Sequence, residues 1–137
     1  MGIVVNDLNK TRDFWINTMG FKLHIEAVEE SPYIDELLAI RDPALTTVKL
    51  IDSNGFIIEL LKFTNYQVEN SWAGDLKTTG LTHIALTVEN VDELVQILKK
   101  LDYQTISEIK TSPNKKVKVV FVKGPEAIML ELVQELN

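Results

Sequence analysis

The stretch IALTVENVD, residues 84–92, resembles MGIVVNDLN, residues 1–9, because both are short apolar runs that end in a residue able to cap a helix. Behind Asn90, the predicted cap of the later stretch, apolar residues recur at helical spacing. Behind the earlier stretch, a helix is predicted over residues 8–19, with Gly20 as its stop. Aligning the two openings places Gly2 over Ala85, and this correspondence predicts an internal repeat.

Each copy also ends in a predicted β-hairpin. Residues 46–61 turn at Ser53-Asn54-Gly55, and residues 117–133 turn at Lys123-Gly124-Pro125-Glu126. Aligning the hairpins places Glu59 over Glu131, so the stretch between opening and hairpin is longer in the first copy than in the second. The extra length falls between the second and third strands of the first copy.

A short helix over residues 31–38 accounts for the extra length, with Ser31 as its predicted cap and Pro32 in its first turn. A module of about 60 residues would bury too little apolar surface to be stable alone. We therefore predict one domain with an α+β fold, in which two βαβββ modules form a cup-shaped mixed sheet. Its predicted parts are module 1, residues 1–63 with an insertion at 29–44; a linker, residues 64–79; and module 2, residues 80–137.

Composition and charge exclude several classes of protein. With 45% hydrophobic and 25% charged residues, the chain is typical of a globular domain. Its 20 acidic residues outnumber 14 basic ones, and the net charge of −6 disfavours binding to nucleic acid or to an anionic membrane. The absence of cysteine excludes disulfides, thiolate metal sites and a cysteine nucleophile. No apolar run is long enough to span a bilayer and no secretory signal is recognised, so we expect a cytoplasmic protein.

Three ionisable residues interrupt the predicted apolar strands. Glu59 and Glu131 stand between apolar neighbours in the last strand of each module, and His83 opens the strand predicted over residues 81–88. Because side chains alternate along a strand, we expect each glutamate to face away from the helices, into a cavity made by the sheets. Such nitrogen and oxygen ligands suit a divalent metal, namely Zn, Ni, Co, Mn or Fe. Alternatively, the glutamates face solvent and His83 pairs with a neighbour.

The sequence resembles the vicinal oxygen chelate superfamily, which includes glyoxalase I, methylmalonyl-CoA epimerase, extradiol dioxygenases, fosfomycin-resistance enzymes and bleomycin-binding proteins. The resemblance extends over nearly the whole chain. It is carried by GIVVNDL at 2–8, DFW at 13–15, MGF at 19–21, LTHIALTV at 81–88 and GPEAIMLEL at 124–132. It implies a cup-shaped sheet around a metal ion that is bound by the first and last strands of each module.

Transferred by position, the resemblance implies Glu59, His83 and Glu131 as metal ligands. The family's other first-strand histidine would fall immediately before Met1. Three interpretations follow: the native chain extends upstream and supplies that ligand, the site uses three ligands, or this member binds no metal.

A glutamate at position 59 resembles the glyoxalase and epimerase branches more than the dioxygenases. This implies a lyase, isomerase or epimerase that acts on a small oxygenated metabolite through a metal-stabilised enediolate, with Glu131 or Glu59 as the base. Glu26 is a weaker candidate that we expect to face solvent. The alternatives are a metal-free protein that binds and sequesters a small molecule, an extradiol-type dioxygenase, and an interaction module with a decayed site. The resemblance also implies a homodimer.

Loops at the rim of the cup are expected to determine the substrate. They are the insertion at residues 29–44 and the linker with Tyr66 and Trp72. Arg41, Trp72 and Lys118 are the candidate substrate-binding residues, and the two cations would pair with an anionic substrate group. Alternatively, the cations belong to a solvated basic patch. His24 is expected to be an ordinary strand residue.

Overall fold

The computed structural model describes residues 1–68 and 75–136, in which strands outnumber helices. The chain divides into two compact units, Met1–Asn70 and Ser71–Asn137. The strands form two mixed sheets, one in each unit, and this confirms the predicted α+β class. No helix within the described ranges has the length and hydropathy that a bilayer crossing requires.

The first unit is a four-stranded sheet with its helices between β1 and β3 along the chain. Its strand order is β1-β4-β3-β2, with β1 parallel to β4 and the other pairs antiparallel. The elements are β1 Gly2–Val4, α1 Leu8–Asp13, β2 Lys22–Val28, α2 Tyr33–Leu38, β3 Leu45–Ile51 and β4 Ile57–Phe63.

The second unit repeats this plan with one strand divided. Its order is β5-β9-β8-β6, and β7 also pairs with β8, so the predicted second strand of module 2 is split into two short pieces. The elements are β5 Ile84–Thr87, α3 Val91–Lys100, β6 Gln104–Thr105, β7 Lys110–Thr111, β8 Val117–Lys123 and β9 Met129–Glu135.

The register of the parallel strand pairs is the same in both units. Gly2 lies opposite Glu59 in the first sheet, and Ala85 lies opposite Glu131 in the second. The sequence repeat aligns the same residues, Gly2 with Ala85 and Glu59 with Glu131. The two glutamates therefore occupy equivalent positions in the repeat.

Side-chain alternation places both glutamates on the side of the sheet away from the core. Ile58 and Leu60 flank Glu59 and are fully buried, as are Leu130 and Leu132 beside Glu131. Helix α3 packs on the core side of the second sheet through its buried residues Val91, Val95 and Leu98. Its predicted cap is confirmed, because Asn90 Oδ1 accepts a hydrogen bond from the backbone N–H of Glu93 at 3.1 Å.

The first helix departs from the prediction of one regular α-helix over residues 8–19. After α1 the backbone widens into a π-helical turn, Phe14–Thr18. Phe14 and Trp15 lie in this turn and are both buried. The predicted stop is confirmed, since Gly20 has a φ of 77°.

The short helix of the insertion is confirmed, but its cap is not Ser31. Helix α2 begins at Tyr33 after Pro32 and makes no side-chain cap hydrogen bond. The Ser31 hydroxyl instead donates to the Asp35 carboxylate, which also accepts from the backbone N–H of Asp42 at 2.9 Å. The side chain that organises the insertion is therefore the acceptor Asp35.

Candidate metal centre

His83 and Glu131 form a close pair on the second sheet. His83 Nε2 lies 3.2 Å from Glu131 Oε2, and both side chains are partly buried, with exposed fractions of 33% and 25%. Ala85 is the register partner of Glu131, and His83 stands two residues before it, so the imidazole and the carboxylate share one side of the sheet. His83 itself precedes the strand, which begins at Ile84 rather than at the predicted Leu81.

Two further contacts fix the His83 ring. Thr82 Oγ1 lies 2.8 Å from His83 Nδ1. The Phe121 ring meets the imidazole edge-on, with ring centroids 5.2 Å apart and an interplanar angle of 82°. Phe121 is the cross-strand partner of Glu131 in β8, so the hairpin brings its ring to the pair.

The His83 and Glu131 pair fits part of a divalent metal site. Two donor atoms on one divalent ion, each about 2.0–2.2 Å from it, are separated by roughly 2.8–3.6 Å for bond angles between octahedral and tetrahedral. The observed 3.2 Å lies in that range, and it is also the spacing of a hydrogen-bonded pair. Within residues 1–68 and 75–136, no group of three or more His, Cys, Asp or Glu side chains could hold a metal ion.

Glu59, in the first unit, has a cationic neighbour on its own sheet. Lys49 is its cross-strand partner, and Lys49 Nζ lies 3.5 Å from Glu59 Oε1. The side chains are 39% and 33% exposed, respectively. The carboxylate of Glu59 is therefore paired with the ammonium group of Lys49.

Lys49 and Phe121 occupy equivalent positions of the two hairpins, each directly across the strand pair from its glutamate. Sequence reasoning named neither of them, nor Thr82. The register of the two hairpins would have found Lys49 and Phe121, because a cross-strand partner can be counted from the turn. Nothing in the sequence pattern singles out Thr82.

Two of the weaker candidates lie on the helix side of their sheets. Lys118 is on the face of β8 opposite to Phe121, and its Nζ lies 2.6 Å from Asp92 Oδ2 at the start of α3. Glu26 is exposed, as predicted, and its Oε2 lies 3.5 Å from Nη1 of Arg12 in α1. We therefore do not keep Lys118 and Glu26 in the proposed site.

The remaining candidates lie in the first unit or outside the described residues. Arg41 is exposed in the insertion, and His24 is exposed where the register of β2 shifts. Trp72 lies outside the described residues.

The insertion is tied to the first residues of the predicted linker by hydrogen bonds. The Tyr66 hydroxyl donates to the carbonyl of Arg41, and Asn65 Nδ2 donates to the carbonyl of Asp42 at 3.2 Å. The Thr64 hydroxyl donates to the Ala44 carbonyl at 3.0 Å. These contacts hold together two segments that were predicted to contribute to substrate selection.

The comparisons agree with this architecture. A model of the Glyoxalase/Bleomycin resistance protein/Dioxygenase superfamily matches residues 1–121. The uncharacterized protein YwkD of Bacillus subtilis (strain 168) is 24% identical over 135 residues, which cover 98% of this chain and 94% of YwkD.

Two solved structures share the fold. A glyoxalase family protein from Bacillus cereus superimposes with a TM-score of 0.92 at 23% identity, covering 100% of this chain and 92% of its own. The trypanothione-dependent glyoxalase I of Leishmania major gives a TM-score of 0.64 at 23% identity, with coverage of 98% and 84%. With its duplicated mixed sheets and the family match over most of its length, the chain belongs to the glyoxalase/bleomycin resistance/dioxygenase superfamily, the vicinal oxygen chelate proteins.

Proposed function

We propose that this protein is a glyoxalase-like or epimerase-like metalloenzyme, a lyase or isomerase that acts on a small oxygenated metabolite. The observation that carries the proposal is the pair of His83 Nε2 and Glu131 Oε2, 3.2 Å apart on the side of the sheet away from its core. Glu59 supports it, since it occupies the repeat-equivalent position of Glu131. The relatives support a glyoxalase fold, which hosts several reactions, so the site has to supply the argument for function.

His83 and Glu131 would supply two donors to a divalent metal, Zn, Ni, Co, Mn or Fe, because imidazole and carboxylate donors suit these ions. Glu59 stays a predicted further ligand. When bound, such a metal supplies a Lewis acid that polarises a substrate carbonyl. A carboxylate oxygen of Glu131 or Glu59 then accepts a proton from the adjacent substrate carbon and returns it during product formation. The chain's own contribution is to position these oxygens and to move that proton.

The first test is metal content. We expect about one transition-metal ion per chain when the full chain is purified without a histidine tag and analysed by elemental spectrometry. Added Ni²⁺ or Zn²⁺ should raise the melting temperature, and a chelator should lower it, because a ligand that binds the native state stabilises it by mass action.

Variants assign the ligands. We expect Glu59→Gln, His83→Ala and Glu131→Gln each to lower metal affinity without unfolding the protein. Matched controls are His24→Ala, which removes the chain's other histidine, and Glu135→Gln, which changes an exposed carboxylate on the same side of β9 as Glu131. Wild-type metal affinity in all three ligand variants would remove the site assignment.

The chemistry is tested through its proton transfer. In D₂O with the metal-loaded protein, we expect deuterium incorporation at the carbon next to the carbonyl in a panel of α-hydroxy ketones, hemithioacetals and acyl thioesters. Glu135→Gln should exchange at the wild-type rate, whereas Glu131→Gln should not. Absence of exchange throughout a panel that binds to the protein would refute the isomerase class.

A metal-free binding protein of the bleomycin-resistance type is the second candidate, and one observation favours it. Each glutamate already has a partner in its own unit, Lys49 for Glu59 and His83 for Glu131. Neither carboxylate therefore needs a metal ion to supply a polar partner. Absence of metal after soaking, together with saturable binding of a small molecule, would establish this alternative.

We also propose a homodimer that binds a small molecule with an anionic group. Support comes from the family, whose members often dimerise, and from exposed Arg41 in the insertion. Sedimentation equilibrium tests the dimer. Arg41→Ala should weaken binding of anionic ligands more than binding of neutral ones.

A further inference from the structure

Strand β2 is the longest edge strand in the part of the chain that the structure describes. Over seven residues, Lys22–Val28, it pairs there with β3 alone. The equivalent edge of the second unit is divided into β6 and β7, which have two residues each. Short edge strands limit pairing with other chains, whereas a long edge offers its backbone groups to a further strand. The two units of the repeat therefore differ at this edge.

The register shows which backbone groups of β2 point outward. The N–H of Glu29 donates to the carbonyl of Leu45 at 2.9 Å, and along an antiparallel ladder such hydrogen-bonded pairs alternate with non-hydrogen-bonded pairs. Counted back from Glu29, Val28 and Glu26 occupy non-hydrogen-bonded positions. Their N–H and C=O groups therefore point away from β3, toward the edge of the sheet.

Apolar side chains are exposed along the same strand. Leu23, Ile25 and Val28 have exposed fractions of 51%, 47% and 73%. Exposed apolar residues on a long edge strand favour the addition of another strand. The register shifts once, at the extra residue His24, and is regular from Ile25 to Val28.

The partners in β3 assign each side chain of β2 to one side of the sheet, because residues that are opposite each other share a side. The side away from the core, which also carries Glu59, has two charged residues at its ends and two apolar residues between them: Lys22, Ile25, Ala27 and Glu29. The core side has one charged residue between two apolar ones: Leu23, Glu26 and Val28.

This pattern is complementary to itself in an antiparallel pair centred on Glu26. With His24 counted as the extra residue, Lys22 of each copy lies opposite Glu29 of the other, on the same side of the joined sheet. On the core side Leu23 lies opposite Val28. A two-fold interface requires such self-complementarity, since one patch has to fit its own copy.

The charged groups of this pairing have compatible surroundings. The two Glu26 carboxylates meet at the axis, but each has a cation of its own chain, because Arg12 Nη1 lies 3.5 Å from Glu26 Oε2. The Glu29 carboxylate accepts from the Thr47 hydroxyl at 2.7 Å. A carboxylate can accept several hydrogen bonds, so Glu29 can also receive the Lys22 ammonium group of a second copy.

We propose that β2 is the surface through which two copies of this chain associate, by antiparallel pairing of their β2 strands about a two-fold axis at Glu26. The pairing joins two four-stranded sheets edge to edge and forms two ion pairs between Lys22 and Glu29. The proposal rests on the homodimer of the proposed function, to which it assigns a surface, and it is independent of the metal site.

Sedimentation equilibrium of the full chain tests the surface. Ile25→Lys adds a charge to the exposed edge, and we expect it to be monomeric at concentrations at which the wild type is dimeric. Ile106→Lys is the matched control at the edge of the second unit, where Ile106 is 54% exposed, and it should stay dimeric. Circular dichroism verifies that each variant folds, and Leu23→Lys repeats the test at a second edge position.

Charge reversal tests the register. Lys22→Glu and Glu29→Lys should each raise the dimer Kd about tenfold or more, because like charges then face each other. The double variant restores both ion pairs and should return the Kd to within about threefold of wild type. Lys100→Glu makes the same charge change at the end of α3 and should leave the Kd near the wild-type value.

The outcomes separate the surface from the proposed function. If Ile25→Lys and Leu23→Lys both dimerise like the wild type, β2 is not the interface, and the homodimer stands with another surface. If the wild type is monomeric, the homodimer and this surface both fail, and the metalloenzyme proposal is unaffected. If Ile25→Lys is monomeric but the double charge variant stays as weak as the single ones, the pairing about Glu26 is overturned.

Discussion

Lys49 competes with any cation for the carboxylate of Glu59. Its ammonium nitrogen lies 3.5 Å from Glu59 Oε1, and a metal that takes Glu59 as a ligand has to break this ion pair. A partly exposed pair contributes about 0.2–1 kcal/mol. The competition is therefore modest, yet large enough to measure.

Removing Lys49 should strengthen metal binding if Glu59 is a ligand. We expect Lys49→Met to lower the Kd for Ni²⁺ by up to about fivefold, which corresponds to the loss of an ion pair of about 1 kcal/mol. Lys22→Met, which removes an exposed lysine from the same sheet, serves as the control. Weaker binding by Lys49→Met would contradict the competition and show that the ammonium positions Glu59.

At the level of single residues, the sequence indicates some members of the candidate site and not others. Glu59, Glu131 and His83 are recognisable because ionisable groups interrupt apolar strands. Thr82 is an ordinary residue by type, and its contact with Nδ1 of the imidazole is visible only in the structure. That orientation follows from the rotamers of two adjacent side chains, which no periodicity encodes.

At the level of single elements, the stability of helix α3 depends on its N-terminal cap. Asn90 satisfies the backbone N–H of Glu93, and the side chain of Gln134 in β9 accepts from the N–H of Val91 at 3.0 Å. We expect Asn90→Ala to lower the free energy of unfolding by about 1 kcal/mol, measured by urea denaturation. Gln96→Ala, on the exposed side of α3, should leave it nearly unchanged.

The insertion carries a pH dependence through Asp35. Hydrogen bonds from the Ser31 hydroxyl, and next from the Asp42 N–H, hold the pKa of this carboxyl below its usual value. A lowered folded-state pKa contributes stability above the unfolded pKa of about 3.9, and this contribution is lost as the pH falls through the folded-state value.

We therefore expect Asp35→Asn to lower the melting temperature at pH 7 and to differ less from wild type as the pH falls below about 4. Glu36→Gln, which changes the neighbouring exposed acid of α2, is the control for general charge effects. A difference between Asp35→Asn and wild type that stays constant down to about pH 2.5 would contradict the role of the ionised carboxyl.

The elements that follow a clean period are the ones that the sequence predicts best. The bounds of helix α3, Val91–Lys100, are predicted to within one residue, because its apolar periodicity and its cap both indicate the same helix. The sequence predicts one regular helix over residues 8–19. After α1, however, the backbone continues as a π-helical turn, which departs from the α-helical period. Ser31 is a plausible cap by type, but its hydroxyl bonds to a side chain instead of the helix backbone.

Across the whole molecule, the repeat also relates the cores of the two units. Leu60 and Leu132 are equivalent residues of β4 and β9, and each is fully buried in its own unit. We expect Leu60→Ala and Leu132→Ala each to lower the free energy of unfolding by about 2–5 kcal/mol. Leu101→Ala, at a half-exposed position after α3, should have a much smaller effect in the same denaturation measurement.

The duplicated architecture is predictable because it depends on pattern alone. The two alignments read from the sequence, Gly2 with Ala85 and Glu59 with Glu131, correspond to the register of both parallel strand pairs. Module boundaries at residues 63 and 80 stay a prediction. What the pattern could not give are the side-chain contacts of each glutamate, because these depend on rotamers as well as on register.

The two glutamates occupy equivalent positions but have different partners, so the two modules of the repeat differ in how they hold their carboxylates. One carboxylate meets a lysine, whose long stem has many rotamers, and the other meets an imidazole that a hydroxyl and an aromatic ring hold in place. After duplication, the glutamate of one module can keep a tightly held side chain while the equivalent glutamate of the other module becomes less restricted. The carboxylate of Glu131 is therefore more narrowly positioned than that of Glu59, whose side chain follows the conformations of its lysine partner.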